Sequence, residues 1–302
     1  MKILVSGGSG LIGSALVPQL RAAGHEVVRL VRRDPAAPDE IRWDPSRGQL
    51  NPADLAGVEA AVHLSGAAVS RRWTEASRRA IRQSRVESTA LLAETLAALT
   101  PQPKVLLSGS AIGFYGDTGD RTVDEDGPRG DGFLADVVGD WEAAAHPAMA
   151  AGIRVCRLRT GIVLARQGGA LRLQLPIFKL GLGGRLGSGR QFTSWITLED
   201  ETAAIEFLLT ADDVSGPVNL VAPNPVTNRD FTKALAAAVH RPAIAAVPPI
   251  ALRLALDGFA EEGLLIGQRL TPRVLTEAGF SFRHPDLPEA LQAVLTKSPQ
   301  AR

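Results

Sequence analysis

The stretch SGGSGLIGS, residues 6 to 14, constrains the fold of this chain more than any other feature. It places three glycines at a spacing of three residues, directly between the apolar run KILVS and a helical pattern. Glycines so spaced allow a tight turn, let a pyrophosphate approach the backbone, and let a helix pack closely on a strand. The N–H groups that open the helix would meet the phosphates. We therefore predict a dinucleotide site at this turn, formed by Gly7, Gly10, Leu11, Ile12 and Gly13. The alternative is a tight turn that binds no ligand.

Strand and helix patterns alternate through the first half of the chain. The apolar runs that predict strands are KILVS, EVVRLV, EAAVHLS, KVLLSG and IRVCRLRTGIVL. Helical patterns separate them, among them one helix from 73 to 99 and one over GFLADVVGDWEAAAHPAMAA. Repeated strand–helix units predict a parallel sheet covered by helices on both faces. The predicted fold is therefore α/β, with a Rossmann-type doubly wound parallel sheet in a domain of residues 1–165.

The alternation of strand and helix patterns ends after about residue 165. A glycine-rich loop, GLGGRLGSGRQFTSW, and helices punctuated by proline follow. We predict that residues 166–302 form a smaller, mostly helical, substrate-side domain, with some elements returning to the main sheet.

Composition and charge exclude several classes of protein. Lys and Arg number 33 against 32 Asp and Glu, so a formal net charge of +1 gives no general attraction to nucleic acid or anionic membranes. No apolar run approaches the roughly 20 residues of a membrane span. The single cysteine, Cys156, cannot form an internal disulfide, and the five histidines lack metal-ligand spacing. We expect a cytoplasmic protein without a metal, nucleic-acid or membrane partner, with a homodimer left open as its assembly.

The end of the second predicted strand discriminates between cofactors. An NAD site usually carries an acidic residue there, which binds the ribose 2′-hydroxyl. Here EVVRLV is followed by Arg32 and Arg33, and Asp34 comes only after both. Guanidinium groups bind phosphate in a planar, bidentate way, so an arginine pair suits a 2′-phosphate. We predict NADP(H) as the cofactor and NAD as the disfavoured alternative.

Several motifs together resemble the extended short-chain dehydrogenases/reductases. They are the glycine loop, HLSG after the fourth strand, SGSAIGFYG after the fifth, and W-I-x-x-x-D from 195 to 200. More narrowly, RRWTEASRRAIRQSRV, DWEAAA and GLGGRLGSGRQFTSWI are similar to the group called epimerase family proteins. The resemblance implies that Leu64 and Ser65 line the adenosine and ribose of the cofactor. It also implies that Arg85, in S-R-V, contacts its phosphate or ribose.

The proton-transfer dyad of the resembled family is missing. The resemblance implies Tyr-x-x-x-Lys on the helix after the fifth strand, with a Glu four residues past the Lys. The Lys ammonium lowers the pKa of the Tyr phenol, which moves the proton. With Glu142 of DWEAAA as the anchor, Leu134 stands at the Tyr position and Val138 at the Lys position. No lysine lies between Lys104 and Lys179, so another register does not restore the dyad.

Two other side chains near the same turn are candidates for catalysis. Tyr115 is the only tyrosine in the chain, and it matches a family tyrosine that mostly shapes the active-site wall. For Tyr115 a structural or pocket-lining role is favoured over proton transfer. Ser110 is the closest match to a family serine that hydrogen-bonds the substrate oxygen, and Ser108 is the alternative.

These features favour an NADP(H)-binding oxidoreductase or nucleotide-sugar-epimerase-like enzyme that lacks the dyad. Its substrate would be a small hydroxyl or carbonyl compound that the sequence does not identify. The alternative is a non-catalytic NADPH-binding sensor or scaffold. Loss of both Tyr and Lys favours this alternative, and retention of the glycine-rich loop disfavours it.

Overall fold

The computed structural model describes residues 1–70 and 72–296. In chain order, its strands are β1 (Lys2–Ser6), β2 (Glu26–Val31), β3 (Glu40–Arg42), β4 (Ala60–His63), β5 (Val105–Ala111), β6 (Thr122–Val123), β7 (Arg154–Thr160), β8 (Ile162–Leu164), β9 (Gly184–Leu186), β10 (Phe192–Thr193), β11 (Trp195–Thr197), β12 (Gly216–Leu220), β13 (Val226–Thr227), β14 (Ala245–Val247) and β15 (Arg269–Leu270). Its α-helices are α1 (Leu11–Ala22), α2 (Glu75–Ala97), α3 (Phe133–Ala143), α4 (His146–Ala150), α5 (Gly169–Lys179), α6 (Leu198–Thr210), α7 (Asn228–Ala238), α8 (Pro249–Leu256), α9 (Arg273–Glu277) and α10 (Leu287–Thr296). A π-helical turn covers Ala260–Leu264.

Seven parallel strands form the central sheet, in the order β12-β7-β5-β4-β1-β2-β3. The chain moves outward from β1 through β2 and β3, then crosses back to place β4 on the other side of β1. Open α/β sheets bind ligands at such a reversal, beyond the carboxyl ends of the strands. The predicted Rossmann-type sheet is confirmed.

Helices cover both faces of this sheet because its strands are apolar on both sides. Ile3 and Val5 of β1 face one way and pack with Leu16 of α1 and Ile205 of α6. Leu4, between them in sequence, faces the other way and packs in a cluster with Leu92 of α2. The alternation of side chains along one strand therefore places a hydrophobic core on each face.

Part of the main sheet comes from the second half of the chain. β12 pairs with β7 along its length and completes the sheet edge, and α6 packs beside α1. Helices α5, α7 and α10 pack around the fully buried Trp195. The division at residue 165 stays a prediction.

Two predicted elements are interrupted in the structure. The run IRVCRLRTGIVL is two strands, because the chain leaves the sheet at Gly161, where a β-carbon would lie 2.8 Å from Val221 Cγ1 and 2.9 Å from Ser194 O. The helix predicted over 132 to 151 is likewise two helices, α3 and α4. Pro147 lies in the first turn of the second helix, and proline lacks the N–H that would continue the first helix.

One carboxyl group is enclosed in the core near the carboxyl edge of the sheet. Glu201, in the first turn of α6, is fully buried. Its Oε1 accepts a hydrogen bond of 2.9 Å from Thr160 Oγ1, and its Oε2 has no partner among the described residues. Burial raises the pKa of Glu201 to about 8.

Across residues 1–70 and 72–296, no helix combines the length and the apolar character that a membrane crossing requires.

Candidate functional site

At two glycines of the predicted dinucleotide turn, the backbone packs too closely to leave room for a side chain. Gly7 has φ +71°, and a β-carbon there would lie 2.7 Å from the carbonyl carbon and oxygen of Leu64. A β-carbon at Gly13 would lie 2.3 Å from Gly7 O. Any larger residue at either position would push the turn away from β4 or from α1.

Gly10 is different, because the space around it is open. Its φ is −76°, which any residue adopts, and a β-carbon there would meet only Gly7 O, at 3.2 Å. Gly10 is also the N-cap of α1 and offers no side-chain cap to the first turn. The N–H groups that begin with Leu11 and Ile12 have no intrahelical acceptor. Together they form a backbone cradle of the size and polarity that an anion needs, so this turn fits a pyrophosphate.

The chain that follows β4 lies beside this cradle. Leu64 N donates to Ser6 O at 3.2 Å, and the Leu64 carbonyl and Ser65 N are the groups nearest to Gly7. The structure therefore brings Leu64 and Ser65 to the switch point of the sheet, together with the glycine turn.

Arg85 of α2 points into the same region. Its Nη1 donates to Ala67 O at 3.0 Å and to Ile81 O at 3.1 Å, and its Cζ lies 5.0 Å from the ring centroid of Trp141. No carboxylate in the described part of the chain forms an ion pair with it, and burial lowers its pKa to about 10. A half-buried cation without an anionic partner would be stabilised by a bound phosphate.

Two other arginines near the start of α2 are engaged elsewhere. Arg79 pairs with Glu75 at 2.7 Å, and Arg78 lies over the rings of Trp73 and Phe133. Arg71 lies outside the described residues.

The two arginines at the end of β2 are not equivalent, although the sequence predicts that both bind the 2′-phosphate. Arg33 donates to both oxygens of Glu40, at 2.7 and 2.6 Å. This contact, with the N–H of Ala36, lowers the pKa of Glu40 to about 2. Arg32 is exposed and makes no hydrogen bond or ion pair with any described residue. The guanidinium that is free to meet a 2′-phosphate therefore belongs to Arg32.

Asp34, the acidic residue of the NAD alternative, forms an ion pair with Arg42, and its side chain is exposed.

Tyr115 lies in a buried polar network and is almost fully enclosed. Its hydroxyl donates to Asn219 Oδ1 at 2.7 Å and accepts from Arg159 Nη1 at 2.9 Å. Burial raises the pKa of Tyr115 to about 12, although the Arg159 guanidinium acts in the opposite direction. A phenol that is buried, engaged in two hydrogen bonds and hard to ionise is unsuited to proton transfer near neutral pH.

Ser110 belongs to the same network. Its Oγ donates to Glu142 Oε1 at 2.7 Å, and Arg159 Nε donates to the same oxygen at 2.8 Å. Ser108 is also buried, and its Oγ has no partner among the described residues. The predicted catalytic roles of Ser110 and Tyr115 therefore have no support in this geometry, because both hydroxyls are held inside the protein.

Replacing Tyr115 with phenylalanine tests this structural role. We expect a loss of about 1–3 kcal/mol in the free energy of unfolding, because two buried partners lose their hydrogen bonds. Urea denaturation measures this loss, and a dinucleotide titration of the same variant should match the unmodified protein. Unchanged stability together with a thousandfold loss of any turnover would restore Tyr115 as the acid.

Leu134 and Val138, the residues predicted to stand at the dyad positions, lie on the face of α3 toward the turn after β5. Leu134 Cβ and Val138 Cγ2 would lie 3.4 and 3.8 Å from a β-carbon at Gly113, just beyond β5. Glu142, one turn further along, reaches Ser110 from the same face.

Comparison with known proteins decides the family. Residues 3–220 match the NAD dependent epimerase/dehydratase family, and residues 247–294 match a domain of unknown function, DUF1731. The chain belongs to the NAD dependent epimerase/dehydratase family.

Within this family, the resemblance to epimerase family proteins is confirmed along the whole chain. The Mycobacterium bovis epimerase family protein Mb2239 is 48% identical, with 98% of each chain covered. The human epimerase family protein SDR39U1 is 36% identical, with 98% of this chain and 100% of the relative covered. A crystal structure of human SDR39U1 with NADPH superimposes with a TM-score of 0.89 at 35% identity, covering 97% of this chain and 99% of that one.

This member of the family carries a carboxylate that the sequence did not single out. Glu262, in the second matched region, reaches the start of α3, where its Oε2 accepts a hydrogen bond of 2.8 Å from Leu134 N. Leu134 is the second residue of α3 and the residue that the resemblance places at the tyrosine position of the dyad. No spacing in the sequence could signal a contact between residues 134 and 262, because it depends on how the C-terminal segment folds over the sheet.

The segment that carries Glu262 covers the carboxyl end of β5. Gln268 Nε2 donates to Ile112 O at 2.9 Å and to Gly116 O at 3.2 Å, directly after β5. Gln191, from the glycine-rich loop, donates to Leu264 O at 3.2 Å. The segment is thus tied both to the sheet edge and to the loop that the sequence assigns to the substrate side.

The described residues contain no group of His, Cys, Asp or Glu side chains that could hold a metal ion.

Proposed function

We propose that this protein is an NADP(H)-binding oxidoreductase or nucleotide-sugar-epimerase-like enzyme that works without the Tyr-x-x-x-Lys dyad. The observation that carries the proposal is the open backbone cradle at Gly10, with two guanidinium groups that form no ion pair with any described residue, Arg32 after β2 and Arg85 beside the chain that follows β4. The NADPH in the crystal structure of the human relative supports the choice of cofactor. When bound, the nicotinamide would give or take a hydride at the substrate carbon.

Each part of the cleft has a role in this proposal. The glycine turn and the first N–H groups of α1 would bind the pyrophosphate. The backbone of Leu64 and Ser65 would line the adenosine and ribose, and Arg85 would neutralise a phosphate. Arg32 would bind the 2′-phosphate as a planar donor, and Glu40 would keep Arg33 in place beside it.

The free arginine gives a graded test of cofactor choice. We expect the unmodified protein to bind NADPH at least tenfold more tightly than NADH, a difference of about 1.4 kcal/mol. Arg32→Ala should remove most of this preference, because it deletes the unpaired guanidinium. Arg33→Ala should remove less, because Glu40 already occupies that side chain. Fluorescence titration of both cofactors against the three proteins measures these preferences.

Equal affinity of the unmodified protein for NADPH and NADH would contradict the assignment of NADP(H). A larger effect of Arg33→Ala than of Arg32→Ala would show instead that Arg33 leaves Glu40 when the cofactor binds.

One observation favours a second candidate, a non-catalytic NADPH-binding sensor or scaffold. Both hydroxyls that could have replaced the dyad, on Ser110 and Tyr115, are enclosed in a buried network. Incubating the protein with NADPH and a panel of small aldehydes, ketones and 4-keto sugar nucleotides distinguishes the two candidates. Loss of NADPH absorbance with any of them supports the enzyme. Saturable NADPH binding without turnover of the whole panel supports the sensor.

A further inference from the structure

Glu262 lies at the start of α3, beside the turn that follows β5. A dinucleotide bound at the switch point spreads its two halves to opposite sides of it. Arg32 follows β2, so the adenosine half of an NADP(H) molecule belongs on that side, and the nicotinamide half extends past β4 toward β5. The groups around the carboxyl end of β5 are therefore those that would surround the reacting ring. This placement depends on the proposed binding of NADP(H).

At that end of β5, Glu262 approaches the start of α3 closely. A β-carbon at Gly132, which has φ +105°, would lie 2.8 Å from Glu262 Oε2, the oxygen that accepts from Leu134 N. Glu262 is only half-buried, and it forms no ion pair with any described residue. One carboxylate oxygen is thus anchored on the backbone, while no cation holds the group as a structural ion pair.

The backbone that carries Glu262 is unusual in two independent ways. Asp257 has φ +54°, a left-handed conformation that residues other than glycine rarely adopt. The next turn, Ala260–Leu264, is π-helical. Strained residues and single π-helical turns concentrate at functional sites.

We propose that the Glu262 carboxyl group is the proton acceptor and donor of this active site. In the oxidative direction, Glu262 Oε would take the hydroxyl proton of an alcohol substrate as the carbinol carbon gives its hydride to NADP⁺, leaving a carbonyl product, NADPH and a neutral carboxylic acid. In the reductive direction, the same carboxyl group returns its proton to the carbonyl oxygen. This role makes Glu262 a catalytic residue, placed at the backbone of the residue that replaces the family tyrosine.

A carboxylate beside the nicotinamide has an effect on binding that needs no substrate. The oxidised ring is cationic and the reduced ring is neutral, so a nearby carboxylate binds the oxidised form preferentially. A carboxylate that only caps α3 from outside the cleft would act equally on both forms.

The test compares the dissociation constants of NADP⁺ and NADPH by calorimetry. In Glu262→Gln, whose amide oxygen can still accept from Leu134 N, the affinity for NADP⁺ should fall by about three- to tenfold relative to NADPH. Glu261→Gln is the matched control, because Glu261 is exposed and pairs with Arg253 at 2.9 Å. Its ratio of dissociation constants should equal that of the unmodified protein.

Each outcome of this experiment decides the proposal. An unchanged ratio in Glu262→Gln, with both cofactors still binding, would overturn the role of Glu262 and leave the proposed function intact. Failure of the unmodified protein to bind either cofactor would overturn both. If Glu262→Gln folds poorly, Glu262→Asp and Glu262→Ala are compared instead. Glu262→Asp retains the negative charge, so the proposal requires it to prefer NADP⁺ over NADPH more strongly than Glu262→Ala does.

Discussion

Replacing Gly10 with valine should weaken NADPH binding by at least about a hundredfold, or roughly 2.7 kcal/mol, while the protein stays folded. Gly10 has an ordinary φ and a single close contact, Gly7 O at 3.2 Å from the added β-carbon, which a small adjustment relieves. The branched side chain would then fill the space that the pyrophosphate needs. Valine is a poor N-cap, so we also expect a loss of about 1 kcal/mol in stability. Isothermal titration with NADPH, with circular dichroism on the same sample, measures both effects.

Gly13→Ala is the contrasting variant at the same turn. Its β-carbon would lie 2.3 Å from Gly7 O, inside the protein rather than in the cradle. We expect this variant to lose stability, whereas Gly10→Val should mainly lose binding. NADPH affinity that is unchanged in Gly10→Val would mean that the turn is structural only.

Replacing Glu201 with glutamine should make the protein more stable at pH 8 and remove a large part of its pH dependence. Burial raises the pKa of Glu201 from 4.5 to about 8. Between these values the unfolded chain loses a proton that the native state keeps, so native stability falls as pH rises and levels off above about pH 8. At about 1.4 kcal/mol per pH unit, the deficit reaches about 3 kcal/mol by pH 7. Glutamine has the same shape and never ionises.

Urea denaturation at intervals from pH 5 to pH 9 measures this effect as the difference between the two proteins. Glu206→Gln is the control on the same helix, since its side chain is only half-buried and bonds to Gln19. Its stability should follow the curve of the unmodified protein. Curves for Glu201→Gln that stay parallel to the unmodified protein at every pH would show that Glu201 is not protonated in the core.

The fold and the cofactor turn were predictable because their signals are local. A strand, three spaced glycines and a helix occupy residues 2 to 22, and each glycine has a physical reason that the structure displays. The prediction that the dyad is missing is also local, because it depends only on counting back from Glu142 to Val138 and Leu134 along one helix.

The chemistry around the turn could not be predicted in the same way, because it depends on partners distant in sequence. Whether Arg32 or Arg33 is free is decided by Glu40 on the neighbouring strand. The hydroxyl of Tyr115 is enclosed by Asn219, which lies on β12. Composition alone cannot show that a lone tyrosine faces inward, and it cannot place the carboxylate of residue 262 on the backbone of residue 134.

The strand order also determines when each strand of the sheet can pair while the chain is being synthesised. The glycine turn and β4 are complete once residue 65 has been synthesised, but β7 keeps an unpaired edge until β12, which ends at residue 220. At about 5–20 residues per second, the 60 residues between Thr160 and Leu220 leave that edge exposed on the ribosome for roughly 3–12 s. An exposed strand edge can pair with another chain, so this interval is when a translating polysome is most prone to aggregate.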